Sequence, residues 1–230
     1  MQDAHELIIR AAKFEDIPSI IDLGMKCFPL DVNHQLPWKL QENWLSLLIR
    51  KNFAELYVAK SRNITAGYAI ITPDYTKYQE EESRRERPFF AKFLAMVKSP
   101  PLIYSVIHEK AILIRDGSAF WKQKVLDKGK EPARDGMLLV QLAVNPKCQR
   151  KGFGSTILKY VERRALYYGR SSVFLAVLPN NKGAISLYEV SGYHYVGRTS
   201  KWLSYRKVVQ GMGTMKGPFS DEEEQRKERL

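Results

Sequence analysis

LAVNPKCQRKGFGSTIL, residues 142–158, is the stretch whose reading decides the fold. It closes an apolar run, Met137 to Val144, that has the composition of a buried strand. A basic loop with two glycines follows, Gln149-Arg150-Lys151-Gly152-Phe153-Gly154, and opens directly into a helix over Ser155 to Tyr168. Ile157, Leu158, Val161, Ala165 and Leu166 fall on one side of that helix. Val173 to Leu178 is a second buried strand, so strand, glycine turn, helix and strand predict a parallel βαβ unit. Amides in a first helical turn have no helical carbonyl to bind. With the positive end of the helix dipole and glycines that permit close approach, they form a cradle for an anion such as a pyrophosphate. Arg150 and Lys151 add countercharge.

Outward from this unit the chain reads as one domain over residues 5–210, with a tail over 211–230 expected to be frayed. Glu6 to Ala11 is a short strand, and Asp16 is the expected N-cap of a helix with Pro18 in its first turn. A loop runs from Phe28 to Pro37, and Trp38 to Arg50 has helical spacing. Leu56 to Lys60 and Ala66 to Thr72 are strands around the polar turn Ser61 to Asn63. Residues 75–135, with the run EEESRRER and a Pro100-Pro101 break, are expected to form a mainly helical insertion, either a solvated face or a lid over the substrate. After the βαβ unit come a helix, Gly183 to Val190, and two late strands, Tyr193 to Gly197 and Trp202 to Val208.

The loop is neither of two common phosphate binders. A Walker loop ends in Gly-Lys-Ser/Thr, which is absent. A dinucleotide fingerprint needs a third glycine where this chain has Ile157, and an acid after the next strand, which here ends Val177-Leu178-Pro179. Beyond that strand, Asn181 and Tyr188 are seven residues apart, which returns to nearly the same helix face roughly 10 Å further on. A phenol there can donate a proton to a leaving thiolate.

Of the 230 residues 44% are hydrophobic and 27% charged, which provides for a core and excludes wholesale disorder. Two cysteines, Cys27 and Cys148, lack the spacing for a zinc site or a disulfide framework; no metal is expected, and a reducing cytoplasm is. No secretory signal is expected at the charged amino end, and no apolar run approaches the roughly 20 residues of a membrane span. The net charge of +12 is concentrated: residues 146–170 carry +6 and residues 197–216 another +5, a field that attracts a polyanion.

The quoted loop, with its V-x-P strand end and Q-x-x-G-x-G core, and the run N-x-x-A-x-x-LYE-x-x-GY from Asn181 to Tyr193 together resemble the GNAT superfamily of acetyl-CoA-dependent N-acetyltransferases. The two motifs lie within residues 142–193, and IIRAAKFEDIPSIIDL looks like that family's first strand and helix. The resemblance implies an α/β fold: a mixed, mostly antiparallel sheet, splayed at a parallel pair formed by its fourth and fifth strands, with helices on both faces. It maps Gln149, Arg150, Lys151, Gly152, Phe153, Gly154 and Ser155 onto the pyrophosphate loop. Leu142 and Val144 map onto the strand that pairs with pantetheine, Asn181 onto a cofactor contact, and Tyr188 onto the general acid. The implied reaction is direct attack of a primary amine on the thioester of acetyl-CoA. The glutamate base that some members place on the fourth strand is missing, because Leu138 stands there. Gln141 can position a water; His108, Glu109, Asp135 and His194 are alternatives, and none is assigned. Cys148 has no histidine in the motif to activate it and is not expected to be a nucleophile.

The leading expectation is an N-acetyltransferase acting on a small-molecule or peptide amine, with a homodimer left open and no membrane partner. A non-catalytic acyl-CoA-binding module of the same fold is the alternative. A nucleic-acid-binding protein would account for the charge but leaves the ordered pattern from Gln149 to Tyr188 unexplained.

Overall fold

A computed structural model describes residues 7–29, 34, 36–51, 53–84, 136–198 and 201–210. The expected insertion beyond Arg84 and the expected tail, 211–230, lie outside the described residues. Among the described residues, seven strands form one sheet in the order β1-β2-β3-β4-β5-β7-β6. They are β1 (Leu7–Ala11), β2 (Glu55–Ser61), β3 (Ile64–Thr72), β4 (Gly136–Val144), β5 (Ser172–Val177), β6 (His194–Arg198) and β7 (Leu203–Val208). Every neighbouring pair is antiparallel except β4 and β5. The helices are α1 (Ile17–Cys27), α2 (Trp38–Lys51), α3 (Tyr75–Arg84), α4 (Phe153–Tyr167) and α5 (Lys182–Val190).

The central strands are continuous apolar runs because both faces of the sheet are covered. Side chains alternate across a strand. Tyr57, Ala59, Ala69, Ile71, Met137 and Leu139 pack with Ile157, Leu158, Val161 and Ala165 of α4. Val58, Tyr68, Ile70 and Ala143 face the other way, onto Ile20 and Ile21 of α1 and Leu45 and Leu48 of α2.

The β3–β4 register slips between Ile70 and Ile71: Ile70 pairs with Gln141 but Ile71 with Leu139, which leaves Val140 as an extra residue. A bulge of this kind bends the strand that carries it. Pairing of β4 with β5 stops at the same level, running from Gly136–Ser172 to Leu139–Leu175. From there β5 stays with β7 over its whole length, and the end of β4 diverges from it. The splayed parallel pair expected from the sequence is therefore present, and the bulge at Val140 marks where the gap begins.

Asp16 stands at the N-cap of α1 with Pro18 in the first turn, as expected, but its side chain is used elsewhere. The Asp16 side chain does not cap α1. Its buried carboxylate is held by Arg10 at 2.7 Å, Lys60 at 3.0 Å and the Lys13 backbone N–H at 2.9 Å. Burial alone would push this carboxyl up, but the bonds from Arg10, Lys13 and Lys60 outweigh it and bring the pKa down to about 2. Two cations from the neighbouring strands β1 and β2 recruit the side chain that a local reading assigns to the helix end.

Candidate active site

The gap between β4 and β5 exposes backbone. Asn145 N–H donates to Ala66 C=O at 2.8 Å, which fixes the phase of the β3–β4 ladder. Bonded and non-bonded pairs alternate along an antiparallel ladder, so the peptide groups of Leu142 and Val144 point away from β3, into the gap. The Val144 carbonyl is already engaged there: Gln149 Nε2 donates to it at 3.1 Å and the Cys27 thiol at 3.5 Å. The Gln149 side chain thus turns back to tie the loop to the strand end.

The loop is built from short local bonds. Asn145 Oδ1 accepts from Lys147 N–H at 3.1 Å, its Nδ2 donates to Thr65 C=O at 3.1 Å, and Cys148 N–H donates to Asn145 C=O at 2.7 Å. Arg150 and Gly152 both take positive φ, 59° and 80°. Gly152 is the residue type this conformation favours, and as N-cap of α4 it brings no side chain to occupy the helix end. The first helical bond in α4 runs from Thr156 N–H to Gly152 C=O at 3.0 Å. The amides of Phe153, Gly154 and Ser155 ahead of it have no helical carbonyl, and Arg150 and Lys151 are exposed beside them. Phe153 itself turns inward onto Cys148 and Ala66, so it offers the cradle its amide only, and Cys148 is buried.

Gly154 has a second reason to be glycine. A Cβ there would sit 2.9 Å from Leu187 Cδ2, so its absence lets the start of α4 pack against α5. Asn181 caps α5, its Oδ1 accepting from Ala184 N–H at 3.1 Å. Tyr188, the residue after Leu187, is buried with its ring 6.0 Å from Tyr193 and 6.4 Å from Tyr205. Its hydroxyl has no hydrogen-bond partner among the described residues, and burial pushes its pKa up to about 12. The phenol is held protonated, above the value expected of an isolated tyrosine.

Of the alternatives considered for a base, His108, Glu109 and Asp135 lie outside the described residues. His194 is exposed on edge strand β6, separated from β5 by β7. Gln141 is the first residue past the bulge, and it does not stand alone. Tyr68 O–H donates to its Oε1 at 3.0 Å, and its Nε2 lies 2.6 Å from Nε2 of His34, 107 positions away in sequence. Sequence reasoning passed over His34, which lies in a stretch read only as loop; nothing in the local pattern marks it.

The fold and the site define a class: a mixed sheet parted at one parallel pair, with a glycine-rich helix N-terminus on the loop leaving the first strand of that pair. Residues 118–193 match the Acetyltransferase (GNAT) family. The chain is 35% identical over 79 residues to the thialysine N-epsilon-acetyltransferase of Mus musculus. That alignment covers 34% of this chain and 46% of the relative, so the chain spans about half the length of the curated relatives it matches. Among solved structures, an N-acetyltransferase from Staphylococcus aureus Mu50 superimposes with a TM-score of 0.55 at 13% identity, covering 89% of this chain and 99% of that one. A protein from Salmonella typhimurium, solved with its cofactor acetyl-CoA, gives 0.53 at 13% identity over 90% and 96% of the two chains. The family match covers about a third of the chain, and the solved structures share its fold. Among the described residues no helix is long and apolar enough to cross a membrane.

Proposed function

We propose that the protein is an N-acetyltransferase that moves the acetyl group of acetyl-CoA to a primary amine by direct attack in a ternary complex. The observation that carries this reading is the coincidence, at one end of one strand, of two things: the parting of β4 from β5 after Val140, and the uncapped N-terminus of α4. The first offers unpaired strand backbone, and the second offers amides and positive charge. A long ligand with an anionic pyrophosphate and an amide-bearing arm suits both, and the Salmonella typhimurium protein of the same fold holds acetyl-CoA.

In this reading the amides of Phe153, Gly154 and Ser155, with Arg150 and Lys151, bind the pyrophosphate, and Gln149 and Gly152 shape the turn. Leu142 and Val144 bind the pantetheine arm through their peptide groups. Because Gln149 and Cys27 occupy the Val144 carbonyl, its N–H and the Leu142 peptide are the groups available. Asn181 contributes its amide nitrogen, its oxygen being committed to the cap. Amides at the strand end polarise the thioester carbonyl, and Tyr188 protonates the departing thiolate. Residues 5–210 form the acetyltransferase domain, and the acceptor is a small-molecule or peptide amine. The enzyme works in the cytoplasm, a setting that suits the free thiols of Cys27 and Cys148.

The test is thermal unfolding with and without CoA, together with release of CoA thiol from acetyl-CoA across a library of primary amines. Stabilisation by CoA and amine-dependent thiol release are expected. Stabilisation without turnover on any amine would replace the enzyme with an acyl-CoA-binding module, and no stabilisation at all would refute the site.

A further inference from the structure

His34 meets β4 from the face of the sheet that α1 and α2 cover. Gln141 pairs with Ile70, and Ile70, Tyr68 and Ala143 lie on the face covered by α1 and α2, opposite α4 and its cradle. Gln141 also precedes Leu142, whose peptide points into the gap. The Gln141 amide is gripped at both ends, by Tyr68 O–H at 3.0 Å and by His34 Nε2 at 2.6 Å. With the Tyr68 proton on Oε1, the NH₂ group faces His34, so Nε2 of the ring is the acceptor and the neutral imidazole carries its proton on Nδ1. The ring is otherwise fixed by stacking on Phe28, with centroids 4.9 Å apart at 23°. It also lies against Gly24, where a Cβ would come within 2.6 Å of Nδ1. The His34 carbonyl accepts from Gln41 Nε2 of α2 at 3.2 Å. A neutral histidine thus has a lone pair aimed at β4 just where that strand leaves β5.

We propose that His34 takes the proton of the acceptor amine at Nε2, and that Gln141 and Tyr68 hold the ring for it; the proposal rests on the acetyl-transfer reading. The incoming N–H replaces the Gln141 donor on Nε2. The amine nitrogen forms its bond to the acyl carbon and the carbon–sulfur bond breaks. The amine proton goes to His34 and the sulfur takes the proton of Tyr188. His34 then returns its proton to solvent, and Tyr188 regains one. The hydrogen-bond chain suits a group that changes charge each cycle: when Nε2 is protonated the Gln141 amide turns over, Oε1 accepts from it, and the NH₂ donates to the Tyr68 oxygen. Every member keeps a partner in both states. The surrounding elements contribute Tyr68 from β3 and, from α1, the Cys27 thiol and the Asp22–Lys26 pair, closed on itself at 2.6 Å; α2 contributes the neutral Gln41.

The experiment is the pH dependence of kcat/KM with the best amine from the library. The parent should lose activity on the acid side, where the imidazole takes up a proton and can no longer act as a base. His34→Gln should remove that limb and lower kcat by roughly 10²- to 10⁴-fold, with stabilisation by CoA retained. Added imidazole should restore part of the rate of His34→Ala, which a purely structural role would not allow. Nitrogen NMR of the parent should show neutral His34 protonated on Nδ1, and Gln141→Leu should shift the midpoint. An unchanged limb in His34→Gln with a rate within about threefold of the parent would sink the proposal and leave the acetyl-transfer reading standing. A neutral ring protonated on Nε2 would do the same, and that measurement holds even where a His34 variant does not fold. A parent that binds CoA and turns over no amine overturns both.

Discussion

Replacing Tyr188 by Phe separates chemistry from packing more cleanly here than tyrosine substitutions usually do. The ring fills the space between Tyr193 and Tyr205, and Phe keeps that ring. The hydroxyl has no hydrogen-bond partner among the described residues, so its removal breaks no protein bond. A typical hydrogen bond contributes only about 1 kcal/mol net, so stability should change by less than that, which for a chain of this size is a Tm shift within roughly 2–4 °C. The proton, by contrast, is removed outright. Losing general-acid help costs roughly 10²- to 10⁴-fold in rate, equivalent to about 3–5 kcal/mol in the barrier. The effect should fall on kcat and spare CoA affinity.

The pH profile carries a second signature. Burial holds the Tyr188 pKa at about 12, two units above its ordinary value. The donor therefore stays protonated through pH 10, and the parent should show no alkaline loss of kcat from this group between pH 8 and 10. The assay is CoA thiol release under saturating acetyl-CoA, where chemistry limits turnover, run beside thermal unfolding of both proteins. A Phe variant within about threefold of the parent rate would mean that solvent protonates the thiolate. A variant that loses much more than about 1 kcal/mol would mean that the hydroxyl is structural, and the reasoning from its unpartnered state would fail.

Three further outcomes follow from the same geometry. Gly154→Val should push Leu187 and α5 off the start of α4 and abolish stabilisation by CoA, whereas Gly152→Ala, with nothing within 4 Å of a Cβ, should cost about 1 kcal/mol of backbone strain; calorimetry of CoA binding to each distinguishes them, and equal losses would refute the Leu187 contact. Removing Arg150 and Lys151 together should weaken CoA binding and flatten its dependence on salt, because both are exposed charges; an unchanged salt slope would place the phosphates elsewhere. Asp16→Asn should lower stability at pH 7 by about 2 kcal/mol, the equivalent of moving a carboxyl from 3.8 to about 2. Since the folded pKa is the lower one, that stability is full above about pH 4 and lost as pH falls toward 2, so urea unfolding at pH 3 should show a smaller difference between the two proteins than at pH 7.

Elements that depend on local pattern were legible in the sequence, and those that depend on partners far along the chain were not. The strands from Val58 to Val177 read correctly to within a residue or two because each is an apolar run bounded by turn residues, and the βαβ unit followed from them. The start of α4 behind the glycine loop was legible because a helix N-terminus is a local object. The N-cap position of Asp16 was legible but the use of its side chain was not, because its partners Arg10 and Lys60 lie on β1 and β2, and pairing with them outcompetes a capping bond. The bulge at Val140 has no glycine or proline to announce it; it appears only when β4 is laid on β3. His34 meets Gln141 across 107 positions, and no periodicity spans that distance.

Gly154 joins two parts of the site that a sequence reading treats separately. In the pyrophosphate signature it looks like a residue kept small for the ligand, yet its Cβ would strike Leu187 at 2.9 Å, on the helix that carries Tyr188. The amide of Gly154 belongs to the cradle, and the next residue after Leu187 is the proposed proton donor. That contact joins the start of α4 to α5, and the Tyr188 ring lies 6.0 Å from Tyr193 and 6.4 Å from Tyr205. A substitution at Gly154 should therefore lower kcat as well as CoA affinity, by moving the phenol along with α5. Gly154→Ala, the mildest such change, is the variant in which both losses should be measurable together, and a loss of affinity alone would show that α5 does not follow Leu187.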